Sequence, residues 1–253
     1  MPQRVLVTAG ASGIGLAIAQ AFASHGAQVY VLDIDAEAVA ALAEHAPAIT
    51  AAVCDVADRA AVEAAVPQAI AHLDGLDVLV NNAGIAGPTA PVQDYDPLAW
   101  EQVMQVNLTG TFNVTRLAIP ALKQSAAASI IVMSSVAGRY GYPLRSAYAT
   151  SKWGLIGLTK TLALELGPHG IRANAILPGA VEGERIERVL AGRAAASGRS
   201  LEDERGAAMA HQSIARFVDP ADIAALAVFL ASDAAKSISG QMLPIDNDMA
   251  RAA

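Results

Sequence analysis

Cysteine is nearly absent from this chain: Cys54 stands alone in 253 residues. A single thiol excludes an intrachain disulfide and fits a reducing, cytoplasmic setting. It falls at an apolar strand end, where an inert buried group is expected rather than a nucleophile. Aromatic residues make up only 4% of the chain, and much of the 54% apolar content is alanine, which suits closely packed helices and buried contacts between subunits. Positive charge is also scarce. A formal charge of −7 and a pI near 5.2 argue against a nucleic-acid partner and leave a small molecule as the expected one. No apolar run approaches the ~20 residues that span a bilayer. Met1-Pro2-Gln3-Arg4 leads at once into Val5-Leu6-Val7, so neither a signal peptide nor a membrane partner is expected. His25, His45, His72, His169 and His211 show no metal-ligand spacing and no Ser or Cys partner at motif distance, so no metal is expected.

No Pro/Gly/Ser-rich linker interrupts the chain, which reads as one domain over 1 to 253. Apolar, β-branched runs alternate with amphipathic, alanine-rich stretches, the pattern of a parallel sheet covered by helices. Strands are expected at 4 to 8, 28 to 33, 48 to 54, 77 to 81, 129 to 134, 172 to 177 and 241 to 245. Helices are expected near 13 to 25, 36 to 45, 58 to 72, 97 to 124, 146 to 167 and 219 to 232. The fold class is therefore α/β: a doubly wound, Rossmann-type sheet of seven parallel strands with helices on both faces. Ligands of such sheets bind beyond the strand C-termini, where the strand order reverses. Residues 182 to 214 are rich in charge and glycine and carry two short helical patterns separated near Ser197-Gly198. They read as a mobile cover over the site, with a plain surface insertion as the alternative.

Tyr148 and Lys152 lie four residues apart, on one face of a helix. A phenol of pKa ~10 becomes useful in proton transfer at neutral pH only after ~4 kcal/mol of differential stabilisation of the phenolate, and a nearby ammonium can supply much of it. The pair alone also fits an ordinary amphipathic contact, so its company decides. Thirteen residues before Tyr148, the apolar run Ile130-Ile131-Val132-Met133 ends in Ser134-Ser135. Val106-Asn107-Leu108 places an amide inside a helical stretch. Near the N-terminus, Thr8-Ala9-Gly10-Ala11-Ser12-Gly13-Ile14-Gly15 joins a strand to a helix, where backbone N–H groups can cradle a pyrophosphate.

This ordered set, with Asp33, Cys54-Asp55-Val56, Asn81-Asn82-Ala83-Gly84 and Pro178-Gly179, resembles the short-chain dehydrogenase/reductase family, in its branch of about 250 residues, over the whole chain. The resemblance implies an oxidoreductase acting on CH–OH groups. Tyr148 would be the acid/base, Ser135 a hydrogen-bond partner of the substrate oxygen, and Lys152 the cation that lowers the phenol pKa and holds ribose hydroxyls. Asn107 would hold a water in a proton relay, or satisfy the backbone of a kinked helix. For the cofactor it implies Gly10, Ser12, Gly13, Ile14 and Gly15 at the pyrophosphate, Asp33 and Ile34 at the adenosine ribose, and Asp55 and Val56 at the adenine. Asn82, Ala83 and Gly84 would form the floor, and Pro178, Gly179 and Val181 would hold the nicotinamide beside Tyr148 and Lys152. A carboxylate at Asp33 accepts from ribose hydroxyls, whereas a 2′-phosphate there meets like charge at ~4 kcal/mol per pair at 4 Å and an effective dielectric of 20. NAD is therefore the expected cofactor. Asp33 as a cap for the following helix is compatible with that role.

The chain departs from the family pattern at three places. Ala9-Gly10 displaces the first glycine by one position, and strain is expected to pass to Gly10, leaving Ala9 with φ < 0. Gly183 stands where a threonine is common, and Asp246-Asn247-Asp248 replaces a frequent Asp-Gly-Gly. Arg139, Tyr140, Tyr142 and Arg145 lie between Ser135 and Tyr148, while Glu182, Glu184, Arg185 and Arg188 open the cover. One of these arginines can meet an anionic or polyhydroxylated substrate; surface salt bridging explains them equally well. Trp153, about 100° around the helix from Lys152, is assigned to packing. The expected activity is interconversion of a secondary alcohol and a ketone, on a small polar or cyclic substrate. An NADPH-dependent 3-oxoacyl-thioester reductase and a non-catalytic nucleotide sensor are the alternatives. Family members commonly assemble through the helices near 97 to 124 and 146 to 167, so a homotetramer or dimer is expected.

Overall fold

The structure, a computed structural model, describes residues 2–46 and 48–250, apart from the side chains of Ala43 and Arg185. Its first half runs β1 (Arg4–Thr8), α1 (Gly13–Ser24), β2 (Gln28–Asp33), α2 (Ala36–His45), β3 (Ile49–Val53), α3 (Arg59–His72) and β4 (Val78–Asn81). The second half runs α4 (Pro97–Met104), α5 (Thr111–Leu122), β5 (Ser129–Met133), α6 (Ser146–Leu166) and β6 (Arg172–Pro178), then α7 (Glu184–Ser197), α8 (Leu201–Met209), α9 (Pro220–Ala231) and β7 (Met242–Ile245).

All seven strands are parallel, in the order β3-β2-β1-β4-β5-β6-β7. The chain winds outward from β1 to β3, returns to β4 beside β1, and then winds the other way. The reversal leaves a crevice at the C-terminal ends of β1 and β4. Side-chain alternation along the strands feeds two cores. Val5, Val7, Val29 and Val31 pack with Ile18 and Phe22 of α1 and with Ile223, Ala227 and Leu230 of α9. Leu6, Leu32, Leu79 and Ile130 pack on the other face with Val66 of α3, Val114 of α5 and Leu155 and Leu162 of α6.

Helix starts are fixed by carboxylates that accept the orphan N–H groups of the first turn. Asp35, Asp58, Asp96 and Asp219 cap α2, α3, α4 and α9 in this way. The cap of α2 is thus Asp35, and Asp33 is occupied elsewhere.

The helix expected over 97 to 124 is interrupted. Between α4 and α5 lies a π-helical stretch, Gln105–Gly110, that carries Asn107. The wide turn leaves carbonyls that side chains take up: Thr111 Oγ1 donates to the Asn107 carbonyl at 2.8 Å. Trp153 also differs from expectation. It is 51% exposed, because its face of α6 turns away from the sheet, and it does not pack into the core.

At the opposite end of the sheet, Arg4 at the start of β1 grips Asp77 just before β4, with Nε to Oδ2 at 2.9 Å and Nη2 to Oδ1 at 2.8 Å. The Arg4 backbone N–H donates to Oδ2 at 2.9 Å, and Ser125 Oγ adds a fourth bond to Asp77 at 2.6 Å. Burial alone would push the Asp77 carboxyl up, but the bonds from Arg4 and Ser125 outweigh it and hold the group at about 2. Among the described residues no helix is long and apolar enough to cross a membrane.

Candidate active site

The glycine turn sits at the crevice, between β1 and α1. Ala9, and not Gly10, takes the left-handed conformation, with φ +50°. The expectation that strain would pass to Gly10 is corrected by the packing. A Cβ on Gly10 would lie 2.9 Å from Val31 Cγ2, so that glycine answers to close approach rather than to φ. Ala9 is pinned where it is: its N–H donates to the Leu32 carbonyl at 2.6 Å, and its carbonyl accepts from Asn82 Nδ2 at 2.9 Å. Gly15 has even less room, since a Cβ there would fall 2.0 Å from the Ala9 carbonyl oxygen and 2.6 Å from Asn82 Nδ2. Gly13 is the reverse case, with φ +52° and nothing within 4 Å of where a Cβ would stand. The turn is therefore tight underneath and open above. Exposed Ser12 and Gly13 and half-buried Ile14 begin a helix whose first N–H groups face that opening, and a pyrophosphate fits such a cradle.

Asp33 ends β2 beneath this turn and is 6% exposed. Its Oδ2 accepts from Ala11 N at 2.9 Å and its Oδ1 from Asp35 N at 3.1 Å, so the carboxylate is held in place by backbone. Ile34 beside it is 64% exposed. Asp55 accepts from Ala57 N at 2.8 Å, and Val56 is buried against Gly110. Between them, Cys54 is 3% exposed, and burial, then Asp55 and Asp58, push its thiol up to about 11. On the other side of β1, Thr8 Oγ1 accepts from Asn82 N at 3.0 Å and Ala83 N at 3.1 Å, fixing the chain that continues to Gly84.

Tyr148, Lys152, Ser135 and Asn107 come from three further elements that meet here. Lys152 is 3% exposed, and its Nζ donates to the Met133 carbonyl at the end of β5 at 2.8 Å while lying 5.6 Å from the centre of the Tyr148 ring. Ser134 Oγ donates to the Lys152 carbonyl at 2.9 Å, so α6 is fastened to β5 by both ends of one residue. Gly138 permits that approach, because a Cβ there would be 2.8 Å from the same carbonyl. Ser135 follows Ser134 in extended backbone and accepts from Ala137 N at 3.2 Å.

Asn107 is fully buried. Its Oδ1 accepts from Ile85 N at 2.7 Å, and its Nδ2 donates to the Ile85 carbonyl at 3.0 Å and to Ser151 Oγ at 2.9 Å. Ser151 Oγ donates in turn to the Tyr148 carbonyl at 2.8 Å. Gly84 closes the ring: a Cβ there would stand 3.2 Å from Asn107 Oδ1 and 3.3 Å from Lys152 Nζ. Ser151 and Gly138 were not singled out in sequence, and Ser134 was noted there without a role, because a lone Ser or Gly carries no signal apart from its three-dimensional neighbours.

Beyond β6, Pro178 ends the strand and Gly179 passes so close to β7 that a Cβ would be 2.9 Å from Asp246 Cα. Val181 forms a parallel bridge with Val218 through the Ala180 carbonyl and the Glu182 N–H, which turns its own backbone groups away from Val218. Gly183 has φ 130° and ψ 177°, a region a threonine does not adopt comfortably, so the departure there accompanies a different backbone path. Asn247 and Asp248 both have φ 56°, so residues that tolerate the left-handed region keep what glycines would allow.

Among the described side chains, Arg145 is the arginine considered in sequence that is brought to Tyr148. It is 3% exposed, its Nη2 donates to the Ala86 carbonyl at 3.2 Å, and its guanidinium carbon lies 5.5 Å from the Tyr148 ring centre. Arg139 is exposed over Tyr140, and Arg188 is exposed beside Glu184. The Arg185 side chain lies outside the described residues. An arginine the sequence did not flag, Arg193 of α7, donates to the Tyr142 hydroxyl.

A family model described as enoyl-(acyl carrier protein) reductase matches residues 8–249. The chain is similar to D-beta-hydroxybutyrate dehydrogenase of Cupriavidus necator, 37% identical over 246 residues that cover 95% of each chain. Among solved structures it is similar to an NAD+-bound xylitol dehydrogenase, with a TM-score of 0.91 and 32% identity over 96% of this chain and 97% of that one. It is similar also to an actinorhodin polyketide ketoreductase variant with NADPH, with a TM-score of 0.92 and 31% identity over 97% of this chain and 96% of that one.

Proposed function

The chain belongs to the short-chain dehydrogenase/reductase family, oxidoreductases that use nicotinamide cofactors, and we propose that it is an NAD(H)-dependent enzyme interconverting a small secondary alcohol and its ketone. The observation that carries this reading is Lys152 Nζ, lodged 5.6 Å from the Tyr148 ring in the crevice that the glycine turn opens. Tyr148 takes the alcohol proton in oxidation and returns it in reduction, and the neighbouring ammonium stabilises the phenolate form. Ser135 Oγ bonds the substrate oxygen and stabilises its alkoxide character. Asn107, held by Ile85 and Ser151, keeps α6 and the 84–86 backbone in register and holds a water that leads protons from Lys152 toward solvent.

The cofactor supplies or accepts the hydride. Gly10, Ser12, Gly13, Ile14 and Gly15 hold its pyrophosphate, Asp33 and Ile34 its adenosine ribose, and Asp55 and Val56 its adenine. Asn82, Ala83 and Gly84 form the floor, and Pro178, Gly179 and Val181 with Tyr148 and Lys152 hold the nicotinamide riboside. The solved relatives hold NAD+ in one case and NADPH in another, so the choice rests on this chain's own residues. Asp33 supports NAD: its carboxylate is fixed by two backbone N–H groups, and a 2′-phosphate would meet charge that cannot swing away. Residues 182 to 214, with α7 and α8, act as a mobile cover on the single domain. Exposed Phe112 of α5 and Trp153 and Leu164 of α6 support pairing between subunits, as a homotetramer or dimer.

The test is a screen of secondary alcohols with NAD+ and NADP+, read by absorbance of the reduced cofactor. NAD+ is expected to give kcat/KM at least ~10-fold above NADP+. Tyr148→Phe is expected to lower kcat by roughly 10³-fold while leaving Tm and NADH binding in place. Equal rates with both cofactors would remove the Asp33 reading, and an active phenylalanine variant would remove the proton-transfer reading.

A further inference from the structure

The cover over 182 to 214 is held by backbone at its base and by side chains along α7. Glu182 N donates to the Val218 carbonyl at 3.0 Å and Val218 N to the Ala180 carbonyl at 2.8 Å, so the chain enters and leaves the cover as one paired stem. The returning end is tied to the C-terminal segment, with Ser213 N to the Asp248 carbonyl at 3.3 Å and Ala250 N to the His211 carbonyl at 2.8 Å. α7 instead meets the loops that follow β4 and β5. Gly192 passes Thr89, where a Cβ would stand 3.5 Å from Thr89 Oγ1, and Arg193 donates to the Tyr142 hydroxyl with its guanidinium carbon 5.4 Å from that ring's centre. The same Tyr142 ring meets Tyr148 edge to face, with centres 6.3 Å apart and planes at 71°. One residue therefore touches the cover with its oxygen and the acid/base with its ring.

We infer that Tyr142 is a positioning residue that makes closure of the cover and alignment of Tyr148 a single event: its hydroxyl latches α7 through Arg193, and its ring limits how the Tyr148 ring can turn. The inference rests on Tyr148 being the proton-transfer residue. A guanidinium N–H given to a phenol oxygen is a charge-assisted bond, stronger than a neutral one. The latch depends on that bond and not on any unpaired charge. An edge-to-face pair has a preferred geometry, so a Tyr142 ring held by α7 disfavours rotations of Tyr148 that would lose the contact. A paired stem with a bond on α7 is a flap with a catch. When the bond breaks, α7 loses its hold on the segment before α6 and Tyr148 loses a fixed neighbour. A substrate enclosed by α7 would then find the phenol aligned by the same movement that excludes water.

Limited trypsin digestion reads the latch directly, since Arg188, Arg199 and Arg205 lie in the cover and cleavage follows how often that backbone opens. Tyr142→Phe deletes one oxygen and keeps the ring. In the presence of NADH it is expected to speed cleavage after Arg188 and Arg199 about 10-fold, the worth of one such bond, while Tm stays near that of the parent because the opening is local. Turnover separates the two halves of the residue. Tyr142→Phe should raise KM for the alcohol about 10-fold with a smaller loss in kcat, whereas Tyr142→Leu, which also removes the ring, should lower kcat by roughly a further 10-fold. Arg193→Gln should raise KM as Tyr142→Phe does, Arg193→Lys should recover part of the loss, and the double variant Tyr142→Phe/Arg193→Gln should be no worse than the worse single change. Cleavage of Tyr142→Phe at the parent rate would overturn the latch. So would a rise in KM without faster cleavage, because that makes the hydroxyl a substrate contact. Equal kcat in the phenylalanine and leucine variants would overturn the hold on Tyr148. The digestion needs no alcohol, so faster cleavage is expected even if none is oxidised, and a failed latch is told apart from a failed assignment of the reaction.

Discussion

The two ends of the sheet are built on opposite principles. At the N-terminal ends of the strands, β1 and the residue before β4 are tied by Arg4, Asp77 and Ser125, each polar atom meeting a partner. At the C-terminal ends, the backbone carries a left-handed alanine, an uncovered Gly13 and cations set beside aromatic rings. The first end satisfies its groups internally. The second sets its cations against aromatic rings and leaves open space above Gly13, where the proposed nucleotide would lie. On the proposed function, stability and activity are separated along one set of strands, about 17 Å from end to end for a strand of five residues.

That separation can be broken from either end. The largest effect is expected at the open end from Gly15→Ala, whose Cβ must displace either the Ala9 carbonyl or the Asn82 side chain. NADH affinity should fall by about 100-fold, or nearly 3 kcal/mol, as measured by fluorescence titration. Unchanged affinity would mean that the turn does not hold the nucleotide.

The closed end should respond in stability instead. The Asp77 carboxyl is held near 2, below its unfolded value of ~3.9, so its contribution is complete above about pH 4. It is lost as pH falls toward 2. Removing the charge with Asp77→Asn should cost about 2 kcal/mol at pH 7, after allowance for the partly exposed Arg4, and should flatten the stability loss between pH 4 and 2. Chemical denaturation across that range reads both quantities. A variant as acid-sensitive as the parent would show that the pair does not govern this end.

The smallest effect is a gain. Ala9→Gly relieves a left-handed alanine and should stabilise the fold by up to about 1 kcal/mol, visible as a rise in Tm of ~2–4 °C. A fall in Tm would show that the surrounding bonds, and not the residue, determine that backbone.

Much of this was legible in the sequence, and the parts that were not share a cause. Strand and helix runs came from periodicity, a local property, and their ends agree closely with the structure. Tyr148 and Lys152 were legible because one helical turn places them together. The left-handed conformation of Ala9 was not, since it depends on Leu32 and Asn82, which lie far along the chain. Arg193 reaches Tyr142 across 51 positions, and Ser134 reaches the Lys152 carbonyl across 18. Such pairs have no periodicity to announce them. The break in the helix at Gln105–Gly110 was hidden for a related reason: its residues suit a regular helix, and the departure from regularity answers to what surrounds it.

That break also sets how the molecule tolerates change in length. Each residue of an α-helix turns its side chain about 100° from the last. Excising one position from the wide turn would give a smoother rod and swing the Asn107 amide toward another wall, away from Ile85 and Ser151. Along this stretch a substitution alters one contact, whereas a deletion rotates everything downstream, so the count of residues is itself part of the design.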